Sequence, residues 1–332
     1  MRSFMVAALL AGTALCGTGP ASADDTKDTR SGALSIQFEN DIFFNTDQHY
    51  TNGVQLNYTT APQDTPTWLE DFAHDLPLFE DHGEVRTNYQ LGQDIFTPRN
   101  TSAAVPNPKD RPYAGYLYVG LGILSKGDNH LDQAELQLGT TGPASLAEDA
   151  QNWVHTVIGD QKALGWHFQL RDEPIANLFY ERSWKLIPPK SLFGVFFDLE
   201  PHAGVAVGNA YDYLNAGAMA RVGINLPDDF GPPRLEPSLP GSSFFEPNGA
   251  ISAYLFAGVD GRVVGRNIFL DGNSFEASPS VEKRLLVGDL QLGAAMQIGG
   301  ARLSFTHVFR SKEFATQASA DQFGSVDLTF RI

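Results

Sequence analysis

Apolar and polar residues alternate with a period of two along most of this chain, the spacing of β-strands whose two faces meet different surroundings. Leu34, Ile36 and Phe38 alternate with Ser35, Gln37 and Glu39. Val54, Leu56 and Tyr58 alternate with Gly53, Gln55 and Asn57. Leu117, Val119, Leu121 and Ile123 alternate with Tyr116, Tyr118, Gly120 and Gly122, and Ala134, Leu136 and Leu138 with Gln133, Glu135 and Gln137. The second face is polar or small, as the lumen of a barrel requires. Segments of this kind fall near 33–43, 51–60, 86–97, 114–125, 131–140, 174–187, 191–207, 212–226, 250–263, 283–298, 301–312 and 323–332. That makes about twelve, an even count, as a single-chain bacterial barrel needs. The last of them, with Val326, Leu328, Phe330 and Ile332 on one face, suits a sheet that closes its final strand on its first and so leaves no edge.

The pattern therefore predicts an all-β transmembrane antiparallel β-barrel. Gly299-Gly300 and Pro188-Pro189-Lys190 read as short turns. With both termini on the periplasmic side, the outer loops are 44–50, 98–113, 141–173, 208–211, 264–282 and 313–322. Two inner connections, 61–85 and 227–249, come out longer than barrels usually have. One segment breaks the strand period. From Ala144 to Ile158, Leu146, Ala150, Trp153, Val154 and Val157 recur at helical spacing, with Pro143 and Ser145 before them and Gly159 after. A short amphipathic helix is expected there, in the third outer loop.

The N-terminus fits an export signal. Arg2 precedes an apolar run from Phe4 to Leu15, too short to span a bilayer, and Ala21-Ser22-Ala23 suits signal cleavage. Residues 1–23 are then a signal peptide and 24–332 a single barrel domain. Cys16, the sole cysteine, falls in the discarded part, leaving no disulfide or thiol chemistry. A net charge of −16 argues against nucleic acid as a partner. No later stretch is apolar for long enough to be a membrane helix, so any span must be made of strands. A mean hydropathy of −0.20 is compatible with that, because lipid-facing and lumen-facing residues alternate.

Strand order gathers polar residues at the outer rim. Glu39-Asn40-Asp41 ends the first strand, Tyr50-Thr51-Asn52-Gly53 begins the second, Gln93-Asp94 lies near the end of the third, and Asp110-Arg111-Pro112-Tyr113 leads into the fourth. Gln151 and His155, at i and i+4, share one face of the loop helix. Asp41, Asn40 and Thr51 offer hard oxygen ligands suited to calcium. A histidine can take a proton from water near neutral pH, and a carboxamide such as Gln151 can orient that water or donate to an oxyanion. Calcium at an ester carbonyl can act as a Lewis acid. Each piece also has a plain reading: helical histidines usually pack or face water, Asn-Asp and Thr-Asn-Gly are common turns, and Arg-Pro-Tyr is a common interfacial anchor. There is no Gly-x-Ser-x-Gly elbow and no Cys/His spacing for zinc.

At these residues the sequence resembles the outer-membrane lipid A 3′-O-deacylases. The matching pieces are Phe38-Glu39-Asn40-Asp41, Tyr50-Thr51-Asn52-Gly53, Gly92-Gln93-Asp94-Ile95-Phe96-Thr97-Pro98, Asp110-Arg111-Pro112-Tyr113-Ala114-Gly115, Leu138-Gly139 with Gly142-Pro143, and Gln151-Asn152-x-x-His155 with Ile158-Gly159 and Trp166. They cover residues 33–185; beyond, the likeness is a general run of strands. The resemblance implies a twelve-stranded barrel of the Gram-negative outer membrane with its active site between the wall and an outer-loop helix. It implies calcium-dependent removal of the 3′-linked acyloxyacyl chain of lipid A, so that lipopolysaccharide of the outer leaflet is the partner. By position, His155 corresponds to the general base and Gln151 to its neighbour. Asn40, Asp41 and Thr51 correspond to the other essential polar residues, with Asp41 and Asn40 near the metal. The chain departs from the family in the loop after Pro98. Where a relative carries an important lysine, this chain reads Arg99-Asn100-Thr101-Ser102-Ala103-Ala104, and the next lysine is Lys109. Arg99 and Arg111 are the candidate cations, and with Asp94 they are expected to contact substrate. Two other readings predict different behaviour: a calcium-dependent phospholipase of the same membrane, and a porin or adhesion barrel without enzymatic activity.

Overall fold

A computed structural model describes residues 31–44, 49–80, 83–159, 161–232 and 243–332. The expected signal peptide, 1–23, lies outside the described residues. In chain order the elements are β1 (Ala33–Asn40), β2 (His49–Thr59), α1 (Thr67–Asp75), β3 (Glu84–Thr97), β4 (Ala114–Lys126), β5 (His130–Thr141), α2 (Ala147–Ile158), β6 (Glu173–Trp184), β7 (Ile187–Leu192), β8 (Val195–Gly208), β9 (Tyr211–Ile224), β10 (Ile251–Asn267), α3 (Ile268–Asp271), β11 (Leu286–Ile298), β12 (Ala301–Arg310) and β13 (Asp321–Arg331). Every strand runs antiparallel to its neighbours. β1 pairs with both β2 and β13, and β6 pairs with β8, so all strands but β7 form one closed wall. The twelve-stranded barrel that the alternation predicts is therefore present.

The sides of the wall are inverted relative to a soluble protein. Ser35, Gln37, Gln55, Asn57, Gln137 and Gln291 are buried in the lumen, whereas Ile36, Leu56, Leu91, Val119 and Leu138 stand exposed on the outside. In water each such leucine would cost roughly 1.5–3 kcal/mol relative to burial, a penalty that a hydrocarbon surround removes. No described helix is long and apolar enough to cross a membrane, so the strands make the crossing.

The expected turn at Pro188-Pro189-Lys190 is not where the chain reverses. Those residues belong to β7, which pairs only with β8 and shifts register between Ile187 and Lys190. An outer strand can carry prolines because it needs no second ladder of N–H donors. The reversal falls instead at Phe193 and Gly194, both with positive φ (53° and 81°), the backbone of a tight hairpin turn.

The two long inner connections have distinct roles. Residues 60–83 carry α1, whose Leu69 and Ala73 pack with Val85 and Ile123 on the outside of the wall. The described parts of the second connection, 225–232 and 243–250, send Asp229, Phe230, Phe244 and Phe245 into buried positions. Asp229 is buried and paired with Arg221 and Arg302, the latter at 2.6 Å. Arg86 and Lys126 lie over the Phe244 ring at 4.6 and 4.8 Å. At the outer end α3 caps the lumen: Asn267 accepts a hydrogen bond from the Phe269 N–H, and the Phe269 ring stacks on Phe96 at 4.5 Å between Tyr116 and Tyr211. The barrel is filled by aromatic packing at one end and by an ion-paired insert at the other.

Candidate active site

The candidate residues of β2 are set by a bulge. Along β2, Tyr50 pairs with Phe96 and Asn52 with Ile95, so Thr51 is an extra residue. Tyr50 turns inward: its hydroxyl donates to Asp94 at 3.3 Å and its ring meets Phe96 and Phe323. Thr51 bonds to the Thr97 hydroxyl at 2.7 Å. Alternation along β3 puts Thr97 on the same face as Gln93 and Ile95, opposite Asp94 and Phe96. That face lies under α2. Ile95 packs with Ala147 and Trp166, and the Gln93 amide donates to the Ser145 carbonyl at 2.7 Å.

The loop helix forms as its punctuation predicts. A single 3-10 turn, Pro143–Ser145, leads through a left-handed Leu146 into α2, and Gly159 (φ 74°) ends it with its N–H on the His155 carbonyl. Gly115 of β4 admits the helix to the wall, since a Cβ there would stand 2.1 Å from Ser145 Oγ and 2.3 Å from the Ala147 Cβ. The wall-facing side of α2 buries Ala147, Gln151 and His155. Its apolar stripe faces the other way, leaving Leu146, Trp153 and Val157 more than half exposed. The amphipathicity of this helix is thus directed outward, with its apolar side exposed and Gln151 and His155 held against the protein.

Gln151 and His155 are both oriented. Gln151 Oε1 accepts from the Trp166 indole N–H at 2.8 Å. This turns the amide nitrogen the other way, and among the described residues that buried nitrogen has no partner. A donor left unmatched in a dry site costs about 1–3 kcal/mol, so the site holds a place for an acceptor. His155 Nδ1 bonds to the Gln161 carbonyl. A carbonyl can only accept, so Nδ1 carries the proton and the neutral ring presents Nε2 as a base.

On the other flank, Asn40, Asn52, Ile95 and Gly115 form one row across β1 to β4. Asn40 Nδ2 donates to Asn52 Oδ1 at 3.1 Å, and Asn40 Oδ1 accepts from the Ile42 N–H at 2.7 Å. The latter bond bends the chain into the 3-10 turn Asp41–Phe44 and buries Asp41. At ~4.8 Å per strand, Asn40 lies roughly 10 Å along the wall from Ile95, with Thr51 and Thr97 just above the row. Asn40 and Thr51 thus lie on the same face of the wall as Ile95, which packs beneath α2 with its buried Gln151 and His155. Asp41, Asn40 and Thr51 suit calcium by donor type, though with a single carboxylate. No group of three or more His, Cys, Asp or Glu side chains is placed to hold a metal among the described residues.

The remaining expected residues lie elsewhere. Asp94 faces the lumen. Arg111 is buried on the lumen side, donating to Glu313 at 2.8 Å with its guanidinium 4.6 Å above Phe96. Burial pushes the Glu313 carboxyl up, but Arg111, Arg310 and Arg262 outweigh it and hold it at about 2. Arg99 is exposed and lines a rim pocket of about 370 Å³ with Lys109, Asp110 and His49. Burial alone would raise Asp110, but its bonds from His49 and from the Arg99 and Arg111 N–H groups lower it. The sequence reading gave no role to Asn52, Thr97, Trp166 or the Gln161 carbonyl. The first two were visible as polar residues in the apolar phase of their strands.

A closed barrel with apolar residues on the outside of its wall and polar residues in its lumen has the architecture of an outer-membrane protein. The comparisons specify which family: the one described as outer membrane protein LpxR matches residues 5–332, and the chain belongs to it. Its location is the outer membrane. Among solved structures, LpxR from Salmonella typhimurium is similar over 90% of this chain and 100% of that one, at 21% identity and a TM-score of 0.74. The β-domain of the Bordetella autotransporter BrkA covers 91% and 100% of the respective chains, at 11% identity and a TM-score of 0.45. No curated protein matches the sequence.

Proposed function

We propose that this protein is a lipid A deacylase that removes the 3′-linked acyloxyacyl chain by water attack, with His155 as general base. The carrying observation is the oriented pair on the wall side of α2: a buried Gln151 amide nitrogen without a partner among the described residues, and a His155 ring whose Nε2 is the basic nitrogen. Family membership and the likeness to LpxR support the substrate class and the membrane.

In this reading, His155 Nε2 takes a proton from water as its oxygen adds to the ester carbonyl. The tetrahedral oxyanion accepts a hydrogen bond from Gln151 Nε2. The C–O bond to the sugar then breaks, the imidazolium returns its proton to the departing 3′-oxygen, and a free carboxylic acid leaves. A positioned base contributes typically 10²–10⁴-fold and an oxyanion donor about 10²–10³-fold. Asp41 and Asn40, with Thr51, are the residues that would hold calcium. Bound there, calcium would supply Lewis-acid polarisation of the ester carbonyl. The Thr51–Thr97 and Asn40–Asn52 hydrogen bonds hold Thr51 and Asn40 in place on the wall. Arg99 and Lys109, which line one rim pocket, take the place of the family's loop lysine in this reading. The filled lumen supports an enzyme rather than a porin. The test is the acylation state of lipid A in cells expressing the chain with and without His155→Ala.

A further inference from the structure

A second lipid-facing feature lies at the other end of the wall. Three rows of outward residues cross β4, β5 and β6 in register. Nearest the periplasm stand Ser125, Asp132 and Arg182, then Ile123, Ala134 and Tyr180, then Leu121, Leu136 and Leu178. Polarity thus falls from the periplasmic edge toward the membrane centre, as along a lipid. Over these rows hangs the connection carrying α1. Leu69 and Ala73 hold it to Val85 and Ile123 at one end. At the other, Phe79 meets Tyr180 at 6.2 Å, and Arg182 donates to the Leu78 carbonyl while paired with Asp132. Between the attachments is a groove of about 590 Å³, within the ~300–1,000 Å³ range of ligand sites. Its lining is apolar apart from Glu135 and the Tyr180 hydroxyl. Small Ala134 forms its notch, and Trp68, Phe72 and Leu78 on the overhang stay at least half exposed.

We propose that this groove binds one acyl chain of an inner-leaflet glycerophospholipid, its headgroup at the Asp132–Arg182 edge. Depth selects the leaflet. Ile123 is eight residues along β4 from Gly115 beneath α2, roughly 26 Å of strand and about 20 Å along the membrane normal at the usual tilt. Continuity selects the ligand, because Leu121, Leu136 and Leu178 belong to the lipid-facing belt itself and an acyl chain reaches them without crossing water. A peptide strand in the same groove would bury amides with nothing to bond to. The site is independent of the deacylase reading and shares no residue with it.

Native mass spectrometry of the full chain, extracted in mild detergent, tests this. The expected result is one retained phospholipid on the wild type and on the lipid-facing control Leu138→Phe, and its loss in Ala134→Phe, which fills the notch. Absence of a bound phospholipid on the wild type, equal retention in both variants, or retention of lipid A instead would overturn the proposal. If Ala134→Phe does not fold, the unmodified chain still decides: a phospholipid with a brominated acyl chain, added at one per protein, should quench the emission that Trp68→Phe removes. Unquenched Trp68 would refute the site.

Discussion

Replacing Gln151 with leucine separates a catalytic role from a packing role. In the wild type the amide oxygen anchors to Trp166 at 2.8 Å and the nitrogen has no partner among the described residues. Leucine removes the unmatched nitrogen, recovering about 1–3 kcal/mol, but strands the Trp166 N–H at a similar cost. Stability should therefore change by no more than about 1–2 kcal/mol. Turnover should fall far more, by about 10²–10³ in kcat or ~2.7–4 kcal/mol, because the oxyanion loses its donor. Trp166→Phe gives the intermediate case: the amide stays but loses an anchor worth about 1 kcal/mol, so a roughly fivefold loss is expected. The assay is the rate of fatty-acid release from lipid A in mixed micelles, with thermal unfolding followed on the same samples. A Gln151→Leu variant within about threefold of wild-type kcat would refute the donor role. A large loss of stability would show that Gln151 is there to hold the helix.

Three further outcomes are expected. Gly115→Val should push α2 off the wall, since a Cβ there already meets Ser145 and Ala147; activity should vanish while the heat-dependent gel mobility of a folded barrel persists. Chelation of calcium should abolish turnover and added calcium restore it; activity unaffected by chelator would remove the metal from the account. Glu313, with an ordinary value of 4.5 held down to about 2, adds stability that is present above its unfolded value and lost as pH falls through about 2. The loop at 311–320 should therefore stay docked at pH 5 and loosen between about 4 and 2. Hydrogen exchange over that range would show it, and Glu313→Gln should abolish the transition.

The barrel was legible because lipid and lumen impose opposite demands on alternate residues, and nearly every strand carries that mark. The helix was legible from Pro143, Ser145 and Gly159, and the Gln151–His155 pair from its i, i+4 spacing. Which side of the wall each rim residue occupies follows from strand phase. Asn40 shares the phase of Leu34, Ile36 and Phe38, which puts it outside with α2; Asp94 shares that of Asn88 and Gln90, which puts it in the lumen. The bulge at Thr51 was hidden, because it depends on a register with β3 that neither strand encodes alone. The lumen insert was hidden for a similar reason. Asp229 and Phe244 have meaning only beside Arg221, Arg302 and Arg86, which reach them from distant strands.

The central claim is tested most directly by the mass spectrum of lipid A from cells expressing the wild-type chain or His155→Ala. The account predicts loss of one acyloxyacyl group from lipid A with the wild type and an unaltered spectrum with the variant, both barrels folded and present at equal levels. Unaltered lipid A with a folded, calcium-supplied wild type, or equal deacylation by both chains, would contradict it.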